Sequence, residues 1–391
     1  MSSIAESLET IKRGAVHLIS EKELADKLAA GRPLRVKLGV DPTSPDLHLG
    51  HSVALTKLRQ FQDLGHTVVL IIGDFTAMVG DPTGRSATRP ALTHDEVMAN
   101  AETYKQQAFK VLDRDRVEVV HNGDWFGRMS FTEVIRLNSQ VTLQQMLQRE
   151  DFRNRIDNAQ EVRLHEIQYP IMQGWDSVMI RSDVEIGGSD QLFNNLVGRD
   201  LQKAHGQPQQ VVLTLPLLEG TDGVKKMSKS YNNYIGLNEA PAEIFGKTMS
   251  ISDELMKRYF TLLLGEELSA TEHPMDAKKR LAWTLTKRFH DAAAADAARG
   301  NWEAMFSKKD HLHAQYPVFH PGADRRILSL VAQAFTDCFP TTVKSKSQLR
   351  QLLQQGSVQL NGAKLTDPQR EVPLASGDIL KLDKTHTVRV G

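Results

Sequence analysis

The sequence predicts an α/β fold: a parallel-sheet domain, a helical domain after it, and a small α+β domain at the end. Three observations carry this expectation. A strand, helix, strand order runs through residues 34–75; an alanine- and leucine-rich stretch poor in β-branched residues fills 238–335; and short strands broken by "NG" and "SGD" turns occupy 341–391.

Residues 1–33 read as a helical preface, with apolar residues at mixed three- and four-residue steps and a stop at Gly31. "LRVKLGV" (34–40) is a short, largely apolar strand, and the prolines and aspartates of "DPTSPD" force a turn after it. Leu55, Leu58, Phe61 and Leu64 then recur at helical spacing up to Gly65, and "TVVLIIGDF" (67–75) is the near-unbroken apolar run of a strand buried on both faces. This order is the pattern of a parallel sheet, so the first domain is expected to be Rossmann-like. A helix is predicted over 93–112, a strand over 116–122, a polar and less regular region over 123–165 and a helix over 166–180. "QQVVLTLPLL" (209–218) resumes the sheet, and the glycine-rich, basic "EGTDGVKKMSKSYNNYIG" after it does not read as core. From 238 to 335 the chain reads as mainly helical, followed by one short helix, a glycine stop and short strands. The expected domains are therefore 1–237, 238–335 and 341–391.

Forty-eight basic and 48 acidic side chains balance over 391 residues, so the overall charge gives no reason to invoke nucleic acid. The chain end differs. Residues 341–391 hold five lysines and three arginines against three aspartates and one glutamate, a net charge of about +4. A compact, mildly basic terminal domain fits an RNA-contacting module, and equally an accessory domain with an ordinary charged surface. The single cysteine, Cys338, excludes an intrachain disulfide and any multi-cysteine zinc site, so no structural zinc is expected. The first residues lack a signal-peptide core, and no run of about 18 apolar residues occurs. The expectation is a soluble, cytoplasmic protein with no membrane partner.

"HLGH" (48–51) sits where the turn after the first strand meets a helix. Its two histidines are either ordinary surface residues or phosphate ligands. A helix N-terminus exposes unpaired N–H groups and a positive dipole end that suit phosphate, and Gly50 lets a nucleotide approach the backbone. His48 and His51 there would donate hydrogen bonds to oxygens whose charge grows as an α-phosphate is attacked. Far along the chain, "KKMSKS" (225–230) sets Lys226 and Lys229 among serines near Gly220 and Gly223. Alone, such a run reads as an exposed polar loop. Taken together, "HLGH" after the first strand and "KMSKS" after the last resemble the two signatures of class I aminoacyl-tRNA synthetases.

The likeness goes further. "GVDPTSPDLHLGH", "IGDFTAMVGDPTGR", "YPIMQGWD", "VEIGGSDQLFN" and "LPLLEGTDGVKKMSKS" resemble segments of the bacterial tyrosyl-tRNA synthetases, and the chain from the 340s onward resembles the S4-type RNA-binding domain that ends them. The resemblance covers nearly the whole chain. It implies two-step catalysis: tyrosine and ATP give tyrosyl-adenylate and pyrophosphate, then the tyrosyl group passes to the terminal adenosine of tRNA(Tyr). It also implies Mg²⁺ accompanying ATP, held mostly by the phosphates, and a homodimer with tRNA lying across two subunits.

The same resemblance assigns roles. His48, His51, Lys226 and Lys229 are the catalytic set, with both lysines on ATP. Gly50, Gly187 and Gly188 allow close nucleotide approach, and Asp190 holds the ATP ribose. Tyr169 and Gln173 meet the amino end of tyrosine, Asp81 and Gln191 assist there, Asp176 meets the hydroxyl, and Asp41 and Lys37 complete the tyrosine set. Lys344, Lys346 and Arg350 face tRNA phosphates. Read without the resemblance, Tyr169, Gln173 and Asp176 lie at i, i+4 and i+7 on one helix face. That polar stripe either faces solvent or lines a pocket for a polar ligand.

Two positions depart from the family pattern. Lys37 stands where many members carry a tyrosine that touches the substrate hydroxyl, and Glu185 where a glutamine is common, so Asp176 carries more of the phenol recognition. Two rival readings remain at this level. A nucleotidyltransferase shares an H-x-G-H element but is usually shorter and lacks the RNA module; an RNA-binding protein on a retained scaffold has no need of the pyrophosphate-handling lysines.

Overall fold

The computed structural model describes residues 3–82, 92–269, 271–307, 316–340, 342 and 344–391. Positions 83–85 of the "IGDFTAMVGDPTGR" segment and 308–315 of the predicted helical stretch lie outside the described residues. The chain divides into two compact units, Met1–Ala298 and Arg299–Gly391.

The first unit is built on a six-stranded sheet. In spatial order its strands are β1 (His17–Ile19), β6 (Val211–Leu215), β5 (Val184–Gly188), β2 (Arg35–Val40), β3 (Thr67–Ile72) and β4 (Val117–His121). All neighbours are parallel except β1, which runs antiparallel along β6. Strand β3 has Val68 through Ile72 fully buried, as its continuous apolar run requires of a central parallel strand. From β2 the chain winds outward to β3 and β4, whereas β5 and β6 are added on the other side. The direction of winding therefore reverses between β2 and β5, and in open parallel sheets the crevice outside the carboxyl ends of the strands at such a point is where ligands bind.

Two helices frame this crevice. The Leu49–Asp63 helix follows β2 and buries Leu49, Val53, Leu55, Leu58 and Phe61 against the sheet. The Leu164–Met179 helix packs closely on Leu192–Ala204, because Gly174 and Gly198 meet there: a Cβ at Gly174 would lie 3.0 Å from the Gly198 nitrogen.

Several expectations need correction. The N-terminal preface is not wholly helical: between the Ile4–Lys12 and Glu21–Ala29 helices lies β1, a three-residue edge strand too short to show a period. "VEIGG" is strand β5, hidden in the sequence by its glutamate and paired glycines. Residues 123–165 hold four short helices, Gly123–Phe126, Phe131–Asn138, Leu143–Met146 and Glu150–Asp157. The domain boundaries also differ. Ile244, Leu255, Tyr259, Phe260, Leu281 and Leu285, from helices beyond 238, share one continuous core with β2, β3 and β5.

The second unit carries a five-stranded sheet in the order β7 (Val318–Phe319), β11 (Thr387–Val390), β10 (Ile379–Lys381), β8 (Gln359–Leu360) and β9 (Ala363–Lys364). Only the β7–β11 pair is parallel. The predicted "NG" turn joins β8 to β9 with positive φ at both Asn361 and Gly362, the geometry that a two-residue hairpin needs. The Ile327–Cys338 and Lys346–Gln354 helices bury Ile327, Leu330, Val331, Leu349 and Leu353 against Val358, Leu380 and Val388. The helix at 327–338 thus belongs to the terminal unit and not to a separate domain ending at 335.

Candidate active site

A cleft of about 230 Å³ opens at the carboxyl ends of β2, β3 and β5. Leu38 to Asp41 form one wall, Ile71 and Gly73 the next, and Ile186 to Gly188 the third. The Leu164–Met179 helix closes it with Tyr169, Gln173 and Asp176, so the polar stripe faces the cleft and not solvent.

At one end, Tyr169 Oη donates to Asp41 Oδ2 at 2.8 Å, and Thr76 Oγ1 donates to Asp41 Oδ1 at 2.8 Å. Asp81 accepts from Gln191 Nε2 at 2.8 Å and from the Arg149 guanidinium at 3.3 Å. Asn194 Nδ2 donates to the side-chain Oε1 atoms of Gln173 (2.8 Å) and Gln191 (2.9 Å). Carboxylates and oriented oxygens therefore converge where a ligand ammonium can be satisfied. At the other end Asp176 is buried, with Trp125 Nε1 donating to Oδ1 at 3.0 Å and Asn122 Nδ2 to Oδ2 at 3.4 Å. Burial pushes its carboxyl up to about 7, against the opposing pull of Lys37 and those two donors. A carboxylate has about four acceptor positions, so Asp176 can still accept a hydrogen bond from a hydroxyl in the cleft.

Lys37 is not a cleft residue. Its side chain is 0% exposed, and its ammonium is spent behind the wall on Glu185, Ser177 and the Gln173 carbonyl. Its predicted place in direct contact with an amino acid is corrected accordingly: a lysine on a central strand must pair internally, since an unpaired buried ammonium is too costly.

The two signatures, 178 positions apart from His48 to Lys226, are joined. His48 and Gly236 form an antiparallel bridge, with Leu49 N donating to Ile235 O at 2.9 Å and Leu237 N to Leu47 O at 3.0 Å. His48 is the residue before the first helical turn, and its N–H donates to His51 Nδ1 at 3.2 Å. The rings stand 4.0 Å apart. Burial, then the neighbouring imidazole and the Lys229 ammonium, depress the His48 pKa; surrounding protein and Lys229 also lower that of His51, whose side chain still reaches solvent. Both rings are therefore neutral at physiological pH, each with one N–H to donate, and positive charge comes from the lysines. A Cβ at Gly50 would strike the His48 ring at 2.9 Å, so glycine there protects the ring position.

The lysine loop is held by Asn233, which donates to the Asp222 carboxylate at 3.0 Å and accepts from Ser228 N at 2.8 Å. Lys229 Nζ crosses to Ser44 Oγ and Asp46, while Lys226 is exposed and near Asp190. Burial raises the Asp190 pKa and the Lys226 charge opposes that shift. Gly187 and Gly188 leave no room for a side chain: a Cβ would lie 2.9 Å from Asn195 Nδ2 and 2.5 Å from Asp190 Oδ1 respectively.

In the terminal unit, Lys346 and Arg350 are exposed one turn apart on the Lys346–Gln354 helix. Lys344 is placed differently, 3.4 Å from Asp383 and over the Phe335 ring at 5.2 Å, where it ties helix to sheet. Among the described residues no group of three or more His, Cys, Asp or Glu side chains is placed to hold a metal ion, and no helix is long and apolar enough to cross a membrane. The site also uses Thr76, Asn122, Trp125, Arg149 and Asn233, which sequence reasoning missed. Asn122 was within reach of it, as the residue after a parallel strand; the others carry no local signal.

Comparison with known proteins gives the family. Residues 29–307 match the family described as tRNA synthetases class I (W and Y). The chain is 48% identical to the tyrosine–tRNA ligase of Desulfotalea psychrophila, covering 100% of this chain and 99% of that one, and 48% identical to that of Aquifex aeolicus, covering 98% of each. Among solved structures, a C-terminally truncated mitochondrial tyrosyl-tRNA synthetase of Aspergillus nidulans superposes with a TM-score of 0.65 at 22% identity, over 78% of this chain and 95% of that one. The Archaeoglobus fulgidus tyrosyl-tRNA synthetase complexed with L-tyrosine gives 0.61 at 22% identity, over 76% and 100%. At that identity the structural likeness speaks for the fold alone. A family match over most of the chain, together with relatives aligned along its whole length, shows that the chain belongs to the class I tRNA synthetases of the tryptophan and tyrosine type.

Proposed function

We propose that the chain is a tyrosine–tRNA ligase: it activates tyrosine with ATP to tyrosyl-adenylate and pyrophosphate, then transfers tyrosine to the 3′ end of tRNA(Tyr). The observation that carries this reading is that the polar cleft adjoins the joined signatures. Thr43 lines the cleft while Ser44 touches Lys229, and Gly188 lines it while Asp190 lies near Lys226.

Tyrosine lies with its phenol toward Asp176 and its ammonium among Tyr169, Gln173, Asp81 and Gln191, with Asp41 orienting Tyr169 through their hydrogen bond. This places the tyrosine carboxylate toward the α-phosphate of ATP. The neutral His48 and His51 donate N–H groups to phosphate oxygens, Lys226 and Lys229 balance the charge that develops as pyrophosphate leaves, and Asp190 accepts from the ribose. Mg²⁺ enters with ATP, held by its phosphates, and neutralises part of their charge.

The terminal unit is an S4-type RNA-binding module, in which Lys346 and Arg350 meet tRNA phosphates. Lys344 serves there mainly by holding the module together through Asp383. The active form is a homodimer in the cytoplasm. Phe131, 80% exposed, and Ile135, 52% exposed, lie at i and i+4 on one helix and offer an apolar face that a second copy covers. Charging of tRNA(Tyr) with radiolabelled tyrosine tests the reading: label on tRNA that depends on ATP and on tyrosine supports it, and no charging by folded protein refutes it.

A further inference from the structure

Lys37 and Glu185 are register partners on the adjacent parallel strands β2 and β5. Their side chains are 0% and 1% exposed. Lys37 Nζ donates to Glu185 Oε1 at 2.9 Å, to Ser177 Oγ at 2.7 Å and to the Gln173 carbonyl at 2.8 Å. Glu185 Oε2 accepts from Ser177 Oγ at 3.0 Å and from Gln210 Nε2, and Oε1 accepts from Gln173 Nε2 at 3.2 Å. A buried ion pair is a weak stabiliser, because removing both charges from water offsets their attraction. Its location is more informative than its energy. Every contact to the Leu164–Met179 helix falls on Gln173 or Ser177, the stretch that carries Asp176 between them.

One ammonium therefore stands near two buried carboxylates. The groups that face Asp176 are Lys37 from β2, Glu185 from β5, the neutral donors Asn122 and Trp125 from beyond β4, and Tyr169 from its own helix, with Asp41 and Asp81 acting on Tyr169 from across the cleft. We propose that Lys37 and Glu185 are a positioning pair for tyrosine recognition. Lys37 fixes the 173–177 turn of the helix and favours the ionised form of Asp176, which accepts a hydrogen bond from the phenol, while Glu185 engages Lys37 so that the carboxylate stays open to substrate. This rests on Asp176 being the phenol acceptor. Burial raises the Asp176 pKa, Lys37 is the largest influence against that rise and Glu185 adds to it. Removing either charge therefore shifts Asp176 in opposite directions.

The test measures kcat/KM for tyrosine-dependent ATP–pyrophosphate exchange, and tyrosine Kd by equilibrium dialysis, over pH 5.5 to 8.5 at about half-unit steps, a window set by the ~1-unit scale of charge-pair shifts. The proteins are the full-length chain, Lys37→Met, Glu185→Gln and the double variant, each checked by circular dichroism. In the unmodified protein tyrosine binding weakens below the Asp176 ionisation. Lys37→Met moves that acid limb up by about one pH unit, Glu185→Gln moves it down by about one, and the double variant returns it toward the starting position. A merely structural pair would weaken binding with no shift of the limb. Limbs that stay fixed, or that move the same way in both single variants, overturn the proposal. Should Lys37→Met fail to fold, the isosteric Glu185→Gln decides alone, since a limb unmoved or raised contradicts the pair. An unmodified enzyme that activates phenylalanine as well as tyrosine overturns the reading of Asp176 itself, and the pair with it.

Discussion

Lys229 Nζ lies 3.2 Å from Asp46 Oδ2 and 3.1 Å from Ser44 Oγ, so a lysine that follows the last strand of the first unit's sheet touches the turn that leads into His48. The lysine loop and the histidine turn thus adjoin, further linked by the His48–Gly236 bridge. The Lys229–Asp46 pair is partly exposed and adds little to stability, which leaves Lys229 free to exchange Asp46 for a phosphate.

From that arrangement follows a separation of binding from chemistry. Replacing His48, His51, Lys226 or Lys229 by alanine is expected to slow adenylation by about 10²-fold, the scale for removing one group that stabilises developing charge, with tyrosine Kd nearly unchanged. Single-turnover adenylation beside equilibrium dialysis separates the two effects. Because burial holds His48 neutral, adenylation at saturating tyrosine is expected to show no titration of His48 at the ordinary imidazole pKa of 6.5. A large loss of tyrosine affinity with unchanged chemistry would assign these residues to the amino-acid pocket instead.

Asp176 gives a prediction of opposite kinds for stability and activity. Its folded-state pKa of about 7 stands above the ordinary 3.8, so the folded state is favoured by its protonated form. That contribution is complete below the ordinary value and is lost as pH rises through 7. The Tm of Asp176→Asn minus that of the unmodified protein is therefore expected to rise from pH 5 to pH 8, while tyrosine activation falls. Scanning calorimetry at the two pH values measures it; a constant or falling difference means that the carboxylate is not strained by burial.

Gly188→Ala probes the nucleotide side. The new methyl group meets Asp190 Oδ1, the movable end of a side chain, so the fold survives but the carboxylate is displaced. The KM for ATP is expected to rise at least about tenfold, the cost of one misplaced charge-assisted hydrogen bond, with tyrosine Kd retained. Equal losses for both substrates would place Asp190 in the amino-acid pocket.

Truncation distinguishes the structural boundary from the one that composition suggests. A chain ending at 307 keeps the first unit's core and every proposed chemical residue, and is expected to make tyrosyl-adenylate while losing tRNA charging. A chain ending at 340 retains the Ile327–Cys338 helix without Leu349, Leu353, Leu380 and Val388, exposing Leu330, Val331 and Phe335. It is expected to aggregate. Size-exclusion chromatography, pyrophosphate exchange and aminoacylation on both chains make the comparison; full charging by the shorter chain removes the case for a dedicated RNA module.

Much of this was legible in the sequence where a period or a motif reports on local geometry. The apolar run of β3 marked a buried strand, and the i, i+4, i+7 spacing put Tyr169, Gln173 and Asp176 on one helix face but left open whether it met solvent or a ligand; the structure turns that face to the cleft. Strand β5 escaped because Glu185 and two glycines break an apolar run, and they do so since Glu185 has Lys37 as partner and the glycines make room for Asn195 and Asp190. The Lys37–Glu185 contact spans strands far apart in sequence, so each residue reads singly as an anomaly. The boundary near 298 falls inside the Ala292–Trp302 helix, so local pattern does not mark it; the burial partners of the helices on either side do.

The most direct test of tyrosine selection in the cleft is ATP–pyrophosphate exchange measured with each of the twenty amino acids in turn. Tyrosine alone is expected to drive rapid exchange, with phenylalanine lower by roughly 10⁴-fold or more, a scale established for hydroxyl-binding sites including those of this enzyme family rather than derived from the cleft. Comparable exchange with phenylalanine, or rapid exchange with another amino acid in place of tyrosine, would contradict the account.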